Sequence, residues 1–189
     1  EMGIRDSKHI MPARKLCADR GQRTVFNFLG PLLNPARPTA QLIGVPKAEL
    51  CEPIGRVLQS IGIRRGMVVN GKAGKGAMDE LSTLGENTIA EFYQDRGFTV
   101  SSDEPSLFQL QPATLDDLKG GDAGENAATI RAILAGEDRG PRRDAVLLNA
   151  AHALFVAAKT DSALEGWELA ASIIDDGLAK RKLEELTDH

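Results

Sequence analysis

Ala40-Gln41-Leu42-Ile43-Gly44-Val45, then Ala48 to Ser60, then Arg65-Gly66-Met67-Val68-Val69-Asn70 is the stretch from which the fold can be read. The two end pieces are short apolar runs, the pattern of buried strands. Pro46 closes the first. Between them Leu50, Ile54, Val57, Leu58 and Ile61 recur at helical spacing, and Gly62 stops the helix. A strand, a helix and a strand within about 30 residues form the right-handed crossover of a parallel sheet. Helices packed on a sheet are therefore expected.

Downstream, Gly71, Gly74 and Gly76 predict a loop, and Thr88 to Tyr93 and Gly97 to Val100 predict two more strands. Leu107 to Leu118 fits neither period. Gly120 and Gly121 break the chain before a helix whose start, Asp122-Ala123-Gly124-Glu125, has capping-box spacing. Pro141 stands where a first helical residue would. The helix from Asp144 to Lys159 is apolar nearly all round and so should be buried. Ser162 and Glu165 start another helix, Gly177 ends it, and a last helix carries Leu178, Leu183 and Leu186. Upstream, residues 6 to 22 predict a short basic helix. Thr24 to Pro35 is apolar but holds Gly30, Pro31 and Pro35, so a buried, irregular segment is expected there.

Composition narrows the function classes. The 189 residues suffice for one domain with a sizeable core, and 42% hydrophobic with 26% charged residues is ordinary for a globular protein, so disorder is not the default. Net charge is −4 without a basic block, so the footprint of a general nucleic-acid binder is missing. Cys17 and Cys51 form no motif, which points to reduced thiols and a cytoplasmic protein. No apolar run reaches membrane-spanning length, since Asn149 and His152 interrupt the longest, and no secretory signal opens the chain. The chain begins Glu1-Met2-Gly3, and the motifs below favour a piece of a longer protein.

Five segments carry chemistry, and each has a structural reading beside the functional one. The capped start at Gly121 to Ala127 is a helix terminus that can meet an anion. Asp79-Glu80 follows a strand and a glycine loop, where ligands of parallel sheets bind, and adjacent carboxylates suit Mg²⁺. Acidic pairs in loops are more often simply solvated. The loop Gly71-Lys72-Ala73-Gly74-Lys75-Gly76 offers amides and lysines to phosphate but lacks Walker spacing. Arg23 to Pro35 is a rigid connector able to shape a pocket for a flat aromatic ligand. The helix with Lys8, His9, Arg14 and Lys15 presents an arginine fit to clamp a carboxylate. His152 and Trp167 read as core residues.

Arg23-Thr-Val-Phe-Asn-Phe-Leu-Gly-Pro-Leu-Leu-Asn-Pro35, Asp79-Glu80-Leu81-Ser82, Gly120-Gly-Asp-Ala-Gly-Glu-Asn-Ala127 and Arg143-Asp-Ala-Val-Leu-Leu-Asn-Ala150 together resemble the anthranilate phosphoribosyltransferase family, in its order and rough spacing, from about Lys8 to Leu186. The resemblance implies a doubly wound, mostly parallel α/β domain over residues 25–189. It implies a helical segment, residues 1–24, belonging to a small domain that mediates homodimerisation of the full-length enzyme. It implies that Asp79 and Glu80 hold Mg²⁺ with the pyrophosphate of phosphoribosyl pyrophosphate, that Arg14 meets the anthranilate carboxylate, and that Gly30 and Pro31 line the anthranilate site. The activity implied is a pentosyl transfer of tryptophan biosynthesis.

The chain also departs from the pattern. It carries about three more residues between Arg14 and Arg23. Aligned backwards from Gly30 without a gap, Cys17 takes the arginine's place, although three residues are nearly one helical turn. Asn70 stands where the family often has histidine, and the glycine loop before Asp79 is longer. The family's Gly-Thr-Gly-Gly-Asp phosphate loop and its Lys-His-Gly-Asn segment are absent. The isolated chain is therefore expected to be inactive or nearly so. Two alternatives are a nucleoside phosphorylase of related fold, against which Gly30-Pro31 and Asp79-Glu80 speak, and a nucleic-acid-binding paralogue, against which the charge speaks.

Overall fold

The computed structural model describes Lys15, Leu16, Asp19, Arg20, Leu32, Asn34 and residues 36–187. The expected helix over residues 6 to 22 and the irregular segment from Thr24 to Pro35 fall largely outside the described residues. Lys15, Leu16 and Asp19 are helical.

The crossover forms as the sequence predicts. Strand β1 is Ala40–Gly44, helix α1 is Cys51–Ser60 and strand β2 is Arg65–Ala73. A 3₁₀ turn, Ala48–Leu50, leads into α1. β1 and β2 pair in parallel, from Ala40 opposite Arg65 to Gly44 opposite Val69. Strands β3 (Gly76–Met78), β4 (Asn87–Tyr93) and β5 (Gly97–Asp103) complete a sheet of order β1-β2-β4-β5, with β3 beside β2.

The expected parallel pairing holds for β1 and β2. The other described pairs, β2–β3, β2–β4 and β4–β5, are antiparallel. The connections explain this. A parallel neighbour needs a long crossover, and no helix intervenes anywhere between β2 and β5. The segment read as a glycine loop is a hairpin instead. β2 runs on to Ala73, Gly74 takes a φ of +59° in the turn, and Gly76 pairs back on Ala73. Its glycines and lysines give no apolar alternation from which strands could be recognised.

Period-two alternation assigns the two sheet faces. Val68, Ala90 and Phe92 point to α1 and pack with Val45, Cys51, Leu58 and Ile63. Met67, Val69 and Ile89 point the other way, against Leu148 and Val156. Those two residues belong to α4, Pro141–Val156, the helix expected to be buried. Helices thus flank both faces of the sheet.

The remaining helices are α2 (Leu115–Leu118), α3 (Ala123–Leu134), α5 (Ala163–Asp175) and α6 (Leu178–Thr187). The capping box at α3 is closed as read: Glu125 N donates to Asp122 Oδ1 at 2.9 Å and Asp122 N donates to Glu125 Oε2 at 2.9 Å. Ser162 caps α5, and Gly177, at φ +71°, ends it. Ile133, Leu147, Ala170 and Ile174 join α3, α4 and α5 in a third apolar cluster. Buried His152 lies beside Phe108, which in turn lies against the partly buried Trp167, so His152 is a core residue and Trp167 packs against the core, as expected. Among the described residues no helix is long and apolar enough to cross a membrane.

Phe92 is fully buried between the sheet and α1, stacked on Phe98 with ring centroids 6.1 Å apart. Phe92→Ala is expected to lower unfolding stability by about 3–5 kcal/mol in urea denaturation, as large core deletions do.

Candidate functional site

The acidic pair lies where two strands converge. β3 takes up the β2 edge that β1 leaves: Gly71 is paired to Met78 on one side and to Asn87 on the other. β1 runs parallel to β2 and β3 antiparallel, so the two meet carboxyl end to carboxyl end. Asp79 follows directly from β3, and its carbonyl packs on Gly44 so closely that a Cβ there would lie 1.5 Å from Asp79 O. A Cβ on Gly71 would likewise lie 2.7 Å from Glu80 O. Both glycines are required for close approach of backbone to backbone.

Carboxamides hold the flanks of the pair. Buried Asn70 donates from Nδ2 to Met78 O at 3.1 Å and to Val45 O at 2.7 Å. Leu81 N donates to Asn149 Oδ1 at 2.9 Å, and Asn149 Nδ2 donates back to Leu81 O at 3.0 Å. Asn87 repeats the pattern on Ser82, whose N donates to Asn87 Oδ1 at 2.7 Å while Asn87 Nδ2 donates to Ser82 O at 3.0 Å. These asparagines were not singled out as site residues from the sequence. The available signal was Asn149 itself, a polar residue on a helix that is otherwise apolar nearly all round.

The carboxylates of Asp79 and Glu80 are exposed, and neither enters an ion pair among the described residues. Partial desolvation, then the neighbouring Asp79 charge, holds the Glu80 carboxyl above the usual glutamate range. Among the described residues no group of three or more His, Cys, Asp and Glu could cage a metal. Two adjacent, unneutralised oxygen ligands fit Mg²⁺, which commonly takes one or two carboxylates and completes its shell with phosphate oxygens and water.

Glu80 and Asn149 border a cavity of about 910 Å³, whose far side is formed by Lys119, Gly120, Gly121 and α3. The cavity thus brings together Glu80 of the acidic pair, the glycine-rich motif and the Arg143 to Ala150 motif. Arg142 fixes the approach to the glycines, donating to Asp117 O at 2.9 Å and Lys119 O at 3.0 Å. The α3 terminus itself is closed by its own groups. Asp122 and Glu125 fill the box, and Asn126 binds both the N–H and the carbonyl of Gly121.

In the hairpin, Lys72 is engaged by Glu86: Lys72 N donates to Glu86 O at 2.9 Å, and the Lys72 ammonium is paired with Glu86. Arg14, Gly30 and Pro31 lie outside the described residues.

The raised Glu80 carboxyl has a consequence for stability. An acid whose pKa is raised on folding opposes folding once ionised, so its cost is absent below the ordinary glutamate value of about 4.3 and present above it. In metal-free buffer Glu80→Gln is expected to raise the thermal midpoint at pH 7 and to leave it unchanged at about pH 3.5. Scanning calorimetry at the two pH values checks the sign.

Residues 5–180 match the family described as glycosyl transferase family, a/b domain. Anthranilate phosphoribosyltransferase of Geobacter sulfurreducens is 47% identical over 95% of this chain and 49% of its own length. That of Dehalococcoides mccartyi is 48% identical over 95% and 51%. The crystal structure of anthranilate phosphoribosyltransferase from Thermus thermophilus is similar with a TM-score of 0.80 and 42% identity, covering 94% of this chain and 50% of that one. Anthranilate phosphoribosyltransferase from Saccharomyces cerevisiae in complex with PRPP and Mg is similar with a TM-score of 0.78 and 27% identity, over 93% and 49%. The chain spans about half the length of the curated relatives it matches. With a crossover sheet flanked by helices, an acidic pair at the strand ends and a family match over residues 5–180, this chain belongs to the glycosyl transferase family, within its α/β domain.

Proposed function

We propose that this chain is the C-terminal part of an anthranilate phosphoribosyltransferase, a pentosyltransferase of tryptophan biosynthesis that is cytoplasmic and homodimeric at full length. The observation that carries the proposal is the unneutralised Asp79-Glu80 pair at the carboxyl end of β1, whose Glu80 borders a cavity of about 910 Å³. The identity of 47% to a relative of that activity supports it. In this reading residues 1–24 belong to the small helical domain and residues 25–189 to the α/β domain.

The reaction joins the anthranilate amino nitrogen to ribose C1 as the bond from C1 to pyrophosphate breaks, and the amine loses a proton. Asp79 and Glu80 would hold Mg²⁺ against the pyrophosphate oxygens. Bound there, the ion supplies positive charge against the charge that builds on the leaving group. Arg14 would clamp the anthranilate carboxylate through its two-pronged guanidinium, and Gly30 and Pro31 would line the aromatic ring. Holding nucleophile and donor in line supplies a further share of the rate.

Two outcomes test the reading. Asp79→Asn with Glu80→Gln is expected to abolish binding of Mn²⁺, used as a Mg²⁺ probe, in titrations followed by electron paramagnetic resonance. Unchanged affinity rejects the metal role. The chain by itself is expected to consume anthranilate at less than about one-hundredth of the rate of a full-length relative, because the donor-binding glycine loop is absent from its sequence. Loss of anthranilate fluorescence in the presence of phosphoribosyl pyrophosphate and Mg²⁺ measures this.

A further inference from the structure

Asp79 and Glu80 occupy a two-residue span between fixed points. On the upstream side the last β3 carbonyl, that of Met78, accepts from Asn70 at 3.1 Å. The same amide nitrogen reaches Val45 O at 2.7 Å, so one side chain fastens the end of β3 to the chain leaving β1. On the downstream side both polar atoms of the Leu81 backbone are engaged by Asn149, at 2.9 and 3.0 Å. Nδ2 of Asn149 also donates to Ala145 O at 3.0 Å, which locks its rotamer on α4.

Asn70 is 3% exposed in a strand whose neighbours Val68 and Val69 are apolar, and burying a carboxamide there is costly unless its hydrogen bonds are made. Asn149 interrupts the apolar run of α4 and reaches across 68 residues of sequence to Leu81. An aliphatic residue at either position would fill space but would leave the flanking backbone groups unpaired. What the two carboxamides add is a definite location for the acidic pair, between the carboxyl end of β1 and the cavity that Asn149 itself borders. Groups that orient metal ligands from behind govern metal affinity although they never touch the ion.

We infer that Asn70 and Asn149 are positioning residues that clamp the backbone on either side of Asp79-Glu80 and thereby set the affinity of the pair for a divalent cation. The inference rests on the metal reading of the pair and adds to it the residues that preorganise it.

The test uses the 189-residue chain. Asn70→Ala and Asn149→Ala are each expected to weaken Mn²⁺ binding about 10–100-fold, the range for groups behind a metal's ligands. Val156→Ala supplies the control: Val156 is buried on the same helix, 2% exposed, and packs in the apolar cluster under the sheet. It is expected to lower the unfolding midpoint while leaving Mn²⁺ affinity unchanged. Wild-type affinity in both asparagine variants, or an equal loss in Val156→Ala, overturns the inference. If Asn149→Ala does not fold, Asn149→Ser takes its place with the same expectation.

Amide exchange without metal gives a second reading. In Asn149→Ala the Leu81 amide is expected to exchange at least about 10-fold faster, with Ile89 in β4 unchanged. If the wild-type chain binds no Mn²⁺, the metal reading fails and exchange alone decides the clamp. Unaltered exchange at Leu81 overturns it.

Discussion

The carbonyl of Asp79 rests on the bare Cα of Gly44, and the described site depends on that contact. It exists because β1 and β3 use the same edge of β2 from opposite directions and meet at their carboxyl ends. Asn70, between Val69, the last β2 residue paired to β1, and Gly71, the first paired to β3, bonds to the chain leaving β1 and to the end of β3. A side chain at residue 44 would push the acidic segment away from the strand ends. Glycine there is a requirement of geometry rather than of flexibility.

The sheet that supports this junction is stiffened on both faces. α1 covers Val68, Ala90 and Phe92, and α4 covers Met67, Val69 and Ile89. α4 does more than cover. Its buried Arg143 pairs with Asp175 of α5 at 3.1 Å, its buried Asp144 accepts from Gln111 N at 2.8 Å, and its Asn149 holds Leu81. One helix therefore ties the core, the neighbouring helix and the acidic segment together. Against this framework the two carboxylates stand unneutralised, with Glu80 displaced upward in pKa by desolvation and by Asp79. In the proposed reading, like charges kept side by side in a well-fixed backbone are what a divalent cation would neutralise.

Much of the local structure was legible in the sequence. The box of Asp122 and Glu125, the Ser162 cap, the stop at Gly177 and the helix opened by Pro141 all depend on residues within one turn of each other. The crossover from Ala40 to Asn70 was legible because apolar periodicity changes between its pieces. The hairpin from Gly71 to Met78 was not, because its pairing is decided by the free edge that β1 leaves and not by its own side chains. The antiparallel course of β4 and β5 follows from short connections, whose effect shows only once β2 has been placed.

The sequence by itself determined the strand-helix-strand crossover, the starts and stops of the later helices, that an acidic pair follows a glycine-rich segment, and that net charge is −4 without a basic block. Those are properties of neighbours along the chain and of bulk composition. Only the tertiary structure decided that Gly44 and Gly71 lie beneath the acidic segment, that Asn70 and Asn149 hold its two sides, and that the glycine-rich motif faces it across one cavity. Those contacts span up to 68 residues and depend on strand register and helix orientation, which no local window of sequence contains.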